Sequence, residues 1–356
     1  MQVLNVDEMT GLVGWDIGGV NVKAAWMAPR KDGTRQVRIS SKPFEIWRDK
    51  HLLPEVLRAA LADISPDTPP HAMAVTMSAE LSDVFATKSE GVRFVLDCVR
   101  DGFPDCDSYA LNLSGEFVRL EEAYGSLLDF AASNWVASAQ WLAARYPDCI
   151  LLDVGSTTTD ILPILKGEVC VRGRTDMERL SSGELVYTGV LRTNLAAIVQ
   201  SVPVAGRLCR VSSEYFSVSG DVHLVLGHLD PKEYTCPTPD NRPPTIDSAR
   251  SRLSRLVCAD TDMLSVADID ALALFIYEQQ VLQVRSGLEQ VVSRNTELRS
   301  HPVIVFGTGA FLGREAAGGL GLRIQGLEED LGRAESAALP CLAVAALLAD
   351  KKKKET

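Results

Sequence analysis

Apolar and polar positions along the chain switch between the two periods that mark strands and helices. Residues 12–27 read as a strand, a glycine-containing turn at Gly18 and Gly19, and a second strand, which together make a hairpin. Residues 37–44 supply a third strand. Residues 52–64 carry apolar side chains at helical spacing, and the Pro-rich stretch 65–70 ends them. Residues 73–77 form a continuous apolar run, read as a buried strand leading into Ser78, Ala79, Glu80, Leu81, Ser82 and Asp83.

A long helical pattern covers 121–145, with small residues on one side of the segment around Trp135, and ends before Pro147. Residues 149–165 then repeat the opening arrangement. An apolar strand carries Asp153, Gly155 begins a hydroxyl-rich turn of Ser156, Thr157, Thr158 and Thr159, and a second strand follows at 161–165. An Asp-x-Gly hairpin near the start of each half predicts a duplicated domain.

The segment 231–245 is rich in Pro, Thr and Asp and reads as an exposed loop or insertion. Helices are expected at about 246–256 and 269–285. A short buried strand at 303–306 runs into Gly307, Thr308, Gly309 and Ala310, with a helix soon after. An apolar helix at 335–348 comes last, and the lysine run within 350–356 reads as a solvated tail. Around Gly220, Asp221 and His223 a strand and its turn are expected. The imidazole and carboxylate groups of His223, His228 and Asp230 do not by themselves define a metal site.

Strands alternating with helices over 356 residues predict an α/β protein of two domains, because single cores stop growing at roughly 250–300 residues. The expected division is 11–135, with the helix at 335–349 packing back on it, and 136–334, with the insertion around 231–245. Asp and Glu number 47 against 36 Lys and Arg, and the net charge of -11 argues against a nucleic-acid backbone as partner. No run reaches the ~20 apolar residues of a membrane span. Residues 1–11 include Asp7 and Glu8 and no apolar run, so a cytoplasmic protein without a secretory leader or membrane partner is expected. The eight cysteines include no Cys-x-x-Cys, which predicts reduced, mostly buried thiols. Nothing in the sequence sets the oligomeric state.

The glycine turns suit phosphate chemistry. Without side chains, their backbone N–H groups can approach phosphate oxygens closely. Gly18, Gly19, Asn21 and Lys23 in the first turn, and Gly155, Ser156, Thr157 and Thr158 in the second, are therefore the candidate phosphate contacts. Asp16 and Asp153 would repel a phosphate, and Mg2+ between carboxylate and phosphate reverses that repulsion. Asp16 and Asp153 are the candidate metal anchors, and a small phosphorylated molecule is the expected partner.

The ordered set of turns resembles the actin, hexokinase and heat-shock-ATPase superfamily. In that resemblance 16–23 matches the first phosphate loop, 153–160 the second, and 303–310 the adenosine motif. The helices around Trp135 and at 335–348 match its connecting helices. The resemblance implies duplicated ribonuclease-H-like domains with a central cleft, the actin-like ATPase fold, and it makes Gly307, Thr308 and Gly309 the nucleotide contacts if ATP binds. The chain departs from the sugar-kinase pattern at Val20 and Asn21, where a Thr or Ser is usual after the paired glycines, and this counts against a standard kinase.

Within the superfamily, the motifs at 16–23, 76–83, 153–160 and 188–193 are similar to those of hydantoinase/oxoprolinase-related proteins of tetrahydromethanopterin-linked one-carbon metabolism, over nearly the whole chain. That resemblance implies a transferase of methanofuran-type cofactor biosynthesis. It would form an aryl ether between an aminomethylfuran methyl diphosphate and the phenol of a tyramine- or tyrosine-derived substrate, with release of diphosphate. Mg2+ would stabilise the departing group, ATP would not be required, and Lys23 would assist. A base must help a phenol of reference pKa ~10 become a nucleophile; Asp160 and Glu80 are the candidates, with metal binding or capping as their other roles. Trp135, Tyr187 and Phe216 are candidates to line a ring pocket, with core packing as the other role, and Arg192 to meet an acidic group. An ATP-dependent small-molecule kinase, a hydantoinase-like hydrolase and a nucleotide-gated interaction protein are the competing expectations.

Overall fold

The computed structural model describes residues 11–30, 35–65 and 69–355. The expectation for residues 1–10 and the middle of the Pro-rich stretch lie outside them. The chain opens with β1 (Leu12–Ile17), β2 (Asn21–Pro29), β3 (Arg35–Pro43), α1 (Leu53–Ile64), β4 (Ala72–Met77), α2 (Lys88–Gly102), β5 (Asp107–Leu111), β6 (Phe117–Arg119) and α3 (Asn134–Ala143). It continues with β7 (Cys149–Val154), β8 (Thr159–Leu165), β9 (Glu168–Val169), α4 (Asp176–Ser182), β10 (Leu185–Val186), β11 (Ser201–Val204), β12 (Arg207–Arg210), α5 (Ser219–Val225), α6 (Ile246–Arg255) and α7 (Val266–Arg294). The last elements are β13 (Val303–Phe306), α8 (Ala310–Gly318), β14 (Ile324–Gly326), α9 (Glu328–Leu331), α10 (Arg333–Ala337) and α11 (Leu339–Glu355). Two compact units result: residues 1–147 with 166–169 and 331–356, and residues 148–165 with 170–330. The sequence places a boundary after Trp135; that position lies inside α3, and the first unit runs on to Pro147.

In the first unit the strand order is β3-β2-β1-β4-β5-β6. The β1–β2 and β2–β3 pairs are antiparallel, β1–β4 and β4–β5 are parallel, and β6 closes the edge antiparallel to β5. The strand β4 is buried at every position, as a parallel strand covered on both faces must be. Trp15, Ile17, Met73, Met77, Leu57, Val95 and Val99 share its core, and α11 packs on β1, β2 and β4.

The second unit has the order β10-β8-β7-β13-β14. Here too an antiparallel three-strand meander is followed by two parallel strands, so the sheets agree in order and direction over five strands. The core around β7, β13, α7 and α8 includes Ile150, Leu152, Val154, Val284, Leu288, Val305 and Leu312. A further cluster joins Leu253 of α6, Leu256 just after it, and Leu272 and Ile276 of α7 to Leu195 and Val202.

Several elements differ from expectation for local reasons. The pattern at 121–145 resolves into two 3-10 turns (Ala123–Gly125 and Leu127–Phe130) and α3, because Ala132 takes a left-handed conformation with φ 51. The expected final helix breaks between Ala337 and Leu339, which puts Pro340 in the first turn of α11, where its missing N–H costs nothing. The lysine run is the helical end of α11: Lys353 and Lys354 are exposed, as a solvated segment should be, whereas Lys352 Nζ donates to the Tyr109 hydroxyl at 2.8 Å and Lys351 pairs with Glu355 at 2.5 Å. Residues 219–225 form a helix and not a strand. All eight cysteines are free, as expected, but only Cys98, Cys149 and Cys341 are buried and Cys258 is exposed. Among the described residues no helix is long and apolar enough to cross a membrane.

Candidate functional site

In the first unit the turn between β1 and β2 is closed by the Gly18 N–H donating to Asn21 O at 2.9 Å. Its carbonyls are held from behind: Phe44 N donates to Val20 O at 2.9 Å and Ile46 N to Gly19 O at 3.1 Å. Asp16, the penultimate residue of β1, stands opposite Lys23. The Asp16 side chain is buried, and its Oδ1 has no hydrogen-bond partner among the described residues. Burial holds its carboxyl above the ordinary carboxylate range, with the Lys23 charge acting the other way. Lys23 Nζ donates to the Ala337 carbonyl at 2.7 Å, so its ammonium is anchored at the end of α10.

Glu80 follows β4 and is buried, with the Lys88 ammonium 3.7 Å from its Oε1. It does not cap α2: Thr87 holds that position and accepts from the Glu90 N–H.

In the second unit the turn between β7 and β8 has the same closure, Gly155 N–H to Thr158 O at 2.9 Å. Ser156 Oγ and Thr157 Oγ1 lie 3.4 Å apart on it. The loop 188–193 backs this turn. Val190 N donates to Gly155 O at 3.1 Å, and Leu191 N and Arg192 N donate to Ser156 O at 3.0 and 3.1 Å. At Gly189 a Cβ would come within 2.4 Å of the Thr157 nitrogen, so only glycine permits this approach.

The third glycine segment meets the same hairpin. Gly309 N donates to Val154 O at 2.8 Å, and Gly307 (φ +89) lies where a Cβ would be 2.4 Å from Asp153 Oδ1. The structure therefore brings Asp153, the 155–158 turn, the 188–193 loop and 307–309 together within one unit.

Asp160 faces Asp153 across the β7–β8 pair and is ion-paired to Arg179, which is itself buried. Burial raises the Asp160 pKa; the Arg179 charge and hydrogen bond act against it, and Asp176 adds to the rise. Arg179 also donates to Glu184 O at 3.2 Å. The Glu184 carboxylate accepts from Arg172 N at 2.7 Å, Gly173 N at 2.9 Å and the Arg294 guanidinium.

Among the aromatic candidates, Trp135 is buried, Phe216 half-buried and Tyr187 exposed. No three His, Cys, Asp or Glu side chains gather as a metal cluster among the described residues. Magnesium does not ask for one, since it is commonly held by one or two carboxylates together with waters and substrate phosphates. The buried, unpartnered Oδ1 of Asp16 is the observation that fits such an ion.

The family model for Hydantoinase/oxoprolinase matches residues 71–351, which include the whole second unit's sheet and both later glycine segments. The chain belongs to the hydantoinase/oxoprolinase family. This family member is 34% identical over 338 residues to a protein of Methanocaldococcus jannaschii named (4-{4-[2-(gamma-L-glutamylamino)ethyl]phenoxymethyl}furan-2-yl)methanamine synthase, a match covering 95% of this chain and 97% of that protein. A protein of Methanococcus vannielii with the same name is 33% identical over 205 residues, covering 56% of this chain and 90% of that protein. Among solved structures, nucleotide-free acetone carboxylase is similar in fold, with a TM-score of 0.55 at 10% identity over 95% of this chain and 70% of that one.

Three residues of this hydantoinase/oxoprolinase chain escape the sequence reading as parts of the site: Arg179, Gly189 and Gln280. Gly189 stands inside the 188–193 motif that carries the family resemblance. Gln280 has a local signal, a polar residue at a core-spaced position between Ile276 and Val284 on α7, and it is fully buried. Arg179 has none, since its partner Asp160 lies 19 residues away on another element.

Proposed function

We propose that this protein is a transferase that makes the aryl ether of a methanofuran-type one-carbon cofactor. The phenol oxygen of a tyramine- or tyrosine-derived substrate attacks the methylene carbon of an aminomethylfuran methyl diphosphate. The C–O bond to diphosphate breaks, the leaving group takes the electron pair, and the phenol proton passes to a base. The observation that carries this reading is the 34% identity to the M. jannaschii synthase over nearly the full length of both chains. The phenoxymethyl-furan in that relative's name contains the bond in question.

The site chemistry supports the same reading. Backbone donors of Gly18, Gly19 and Asn21 and of Gly155, Ser156, Thr157 and Thr158 are assigned to the diphosphate, with Thr157 and Ser156 hydroxyls beside them. Asp16 and Asp153 are assigned to Mg2+, which when bound would neutralise charge developing on the leaving group. Asp160 is the proposed base: burial raises its proton affinity while Arg179 fixes its orientation. Glu80 is the second candidate. Lys23, tied to Ala337 O, is assigned to steadying Asp16. The matched strand orders of the two sheets support the finer view that the units are duplicated ribonuclease-H-like domains of the actin-like ATPase type. The protein is proposed to work in the cytoplasm on small phosphorylated molecules, without nucleic acid or membrane partner and without a requirement for ATP.

The test is release of diphosphate from the furan diphosphate in the presence of tyramine, tyrosine or their glutamylated forms, with Mg2+ and no ATP. Magnesium-dependent release with formation of the ether is expected. No release by folded, metal-replete protein with any of these phenols would overturn the assignment.

A further inference from the structure

The second glycine turn is held by a chain of buried hydrogen bonds that ends far from it. Gln280, in the middle of α7, donates through Nε2 to Gly189 O at 2.9 Å and to Thr188 Oγ1 at 3.0 Å. Gly189 O also accepts from Ser219 Oγ at 2.7 Å and Thr193 Oγ1 at 3.1 Å, and Thr188 O accepts from Thr159 Oγ1 at 2.8 Å. The loop fixed in this way supplies the three N–H groups that bind Gly155 O and Ser156 O.

A carbonyl cannot donate, so Gly189 O fixes which way the Gln280 amide points, with Nε2 toward the loop and Oε1 away from it. Oε1 lies 3.0 Å from His223 Nε2, which must therefore carry the proton. In neutral His223 the other nitrogen, Nδ1, is then an acceptor, and His228 Nδ1 is 3.3 Å from it. Gln280 and His223 are both fully buried, so each polar atom depends on these partners. His228 packs against Tyr277 and Phe311 with ring centroids 4.7 and 4.8 Å away.

We infer that Gln280, oriented by His223, is a positioning residue for the 155–158 turn, acting through the 188–193 loop. The donor on Nε2 is the essential atom. It holds the Gly189 carbonyl, and Gly189 lies against the backbone of Ser156 and Thr157 with no room for a side chain. Any slack at Gly189 therefore passes directly to the turn. The consequence for diphosphate binding rests on the proposed function; the positioning itself does not.

The experiment compares wild-type protein with Gln280→Leu and Gln280→Met, both of which remove the donor to Gly189 O, methionine while keeping the length and volume of the glutamine side chain. His223→Gln, which retains a donor toward Oε1, is the conservative control. Amide hydrogen exchange is read over 155–160 and 188–193 against the strand β13, and the affinity for inorganic diphosphate with Mg2+ is measured beside it. Protection over the two loops falls about tenfold in both Gln280 variants while β13 stays protected. Diphosphate affinity falls by a similar factor, the KM for the phenol does not move, and His223→Gln stays near wild type. Unchanged loop protection in Gln280→Met overturns the inference, and that volume-matched variant decides the matter where Gln280→Leu is globally unstable. Loss of protection in a protein whose wild type binds no diphosphate leaves the positioning role standing and removes the proposed function instead.

Discussion

Asp153 and Asp160 stand directly opposite each other across the hairpin that opens the second unit. Like charges facing across an antiparallel pair destabilise it. At the matching place in the first unit, Asp16 faces Lys23. The second hairpin uses a longer route to the same end, with Arg179 reaching Asp160 from α4 while buried itself. Removing one partner of such a pair leaves a charge stranded. Arg179→Met is expected to lower stability by about 3–5 kcal/mol in urea unfolding. Asp160→Asn keeps an acceptor for the guanidinium and should cost less, yet slow diphosphate release about 100-fold or more if Asp160 is the base. Wild-type turnover in Asp160→Asn would transfer the role of base to another group.

Asp16 predicts a conflict between stability and activity. Its carboxyl is harder to ionise in the folded protein than in the unfolded chain. Its contribution to stability is therefore fully present below the ordinary value of 3.8 and is lost as pH rises through the raised folded value. Above that folded value the protein carries a buried carboxylate at a cost. Asp16→Asn is expected to raise stability there by about 1–3 kcal/mol while abolishing diphosphate release. Added Mg2+ should raise the melting temperature of the wild type and leave the variant unmoved. A variant that gains the same shift from Mg2+ would show that the ion is held elsewhere.

Both hairpins, α1, β4, α6 and β13 are legible in the sequence because the signal of each is local: alternation or helical spacing bounded by Gly or Pro. The segment 219–225 misleads because Val222 and Leu224 alternate with polar residues over too short a run to separate the periods. Only the burial of Ser219, Asp221 and His223 on several sides of α5 shows that the polar positions are interior. Asp16, Asp153 and the glycine turns were likewise readable as candidates from their type and spacing. What surrounds them was not. Gln280 meets Thr188 across 92 residues and Lys23 meets Ala337 across 314, separations at which no periodicity in the chain reports a contact.

Gly307 carries two constraints, and either is enough to exclude a side chain. Its φ of +89 suits glycine, and a Cβ there would press on Asp153 Oδ1 at 2.4 Å and Val154 O at 2.5 Å. Gly307→Ala should therefore destabilise the protein by about 1–3 kcal/mol and also weaken the magnesium-dependent activity, because it displaces the Asp153 carboxylate. Thr308→Ala next to it tests the nucleotide role by itself. An unchanged rate without ATP in Thr308→Ala, together with the loss in Gly307→Ala, would assign this segment to supporting Asp153. Equal stability of Gly307→Ala and wild type in urea would refute the packing constraint.

His223 sets an acid limit on the fold. Burial and the neighbouring His228 push its pKa down to about 3, against an ordinary value of 6.5, although the Gln280 hydrogen bond acts the other way. The unfolded chain binds a proton at His223 more readily than the folded one. Its contribution is therefore complete above pH 6.5 and is lost as pH falls toward about 3. The slope from this one group approaches about 1.4 kcal/mol per pH unit. His228, lowered by burial as well, acts in the same direction, while Tyr277 beside them stays neutral throughout this range. Other carboxylates titrate over the same interval, so the informative quantity is the difference between wild type and His223→Gln in urea unfolding at pH 7, 6, 5 and 4. Glutamine offers a donor to Gln280 without a titrating nitrogen, so the variant should be somewhat less stable at pH 7 and gain on the wild type with each step down. A difference that stays constant across these four pH values would show that His223 is not the group that limits stability in acid.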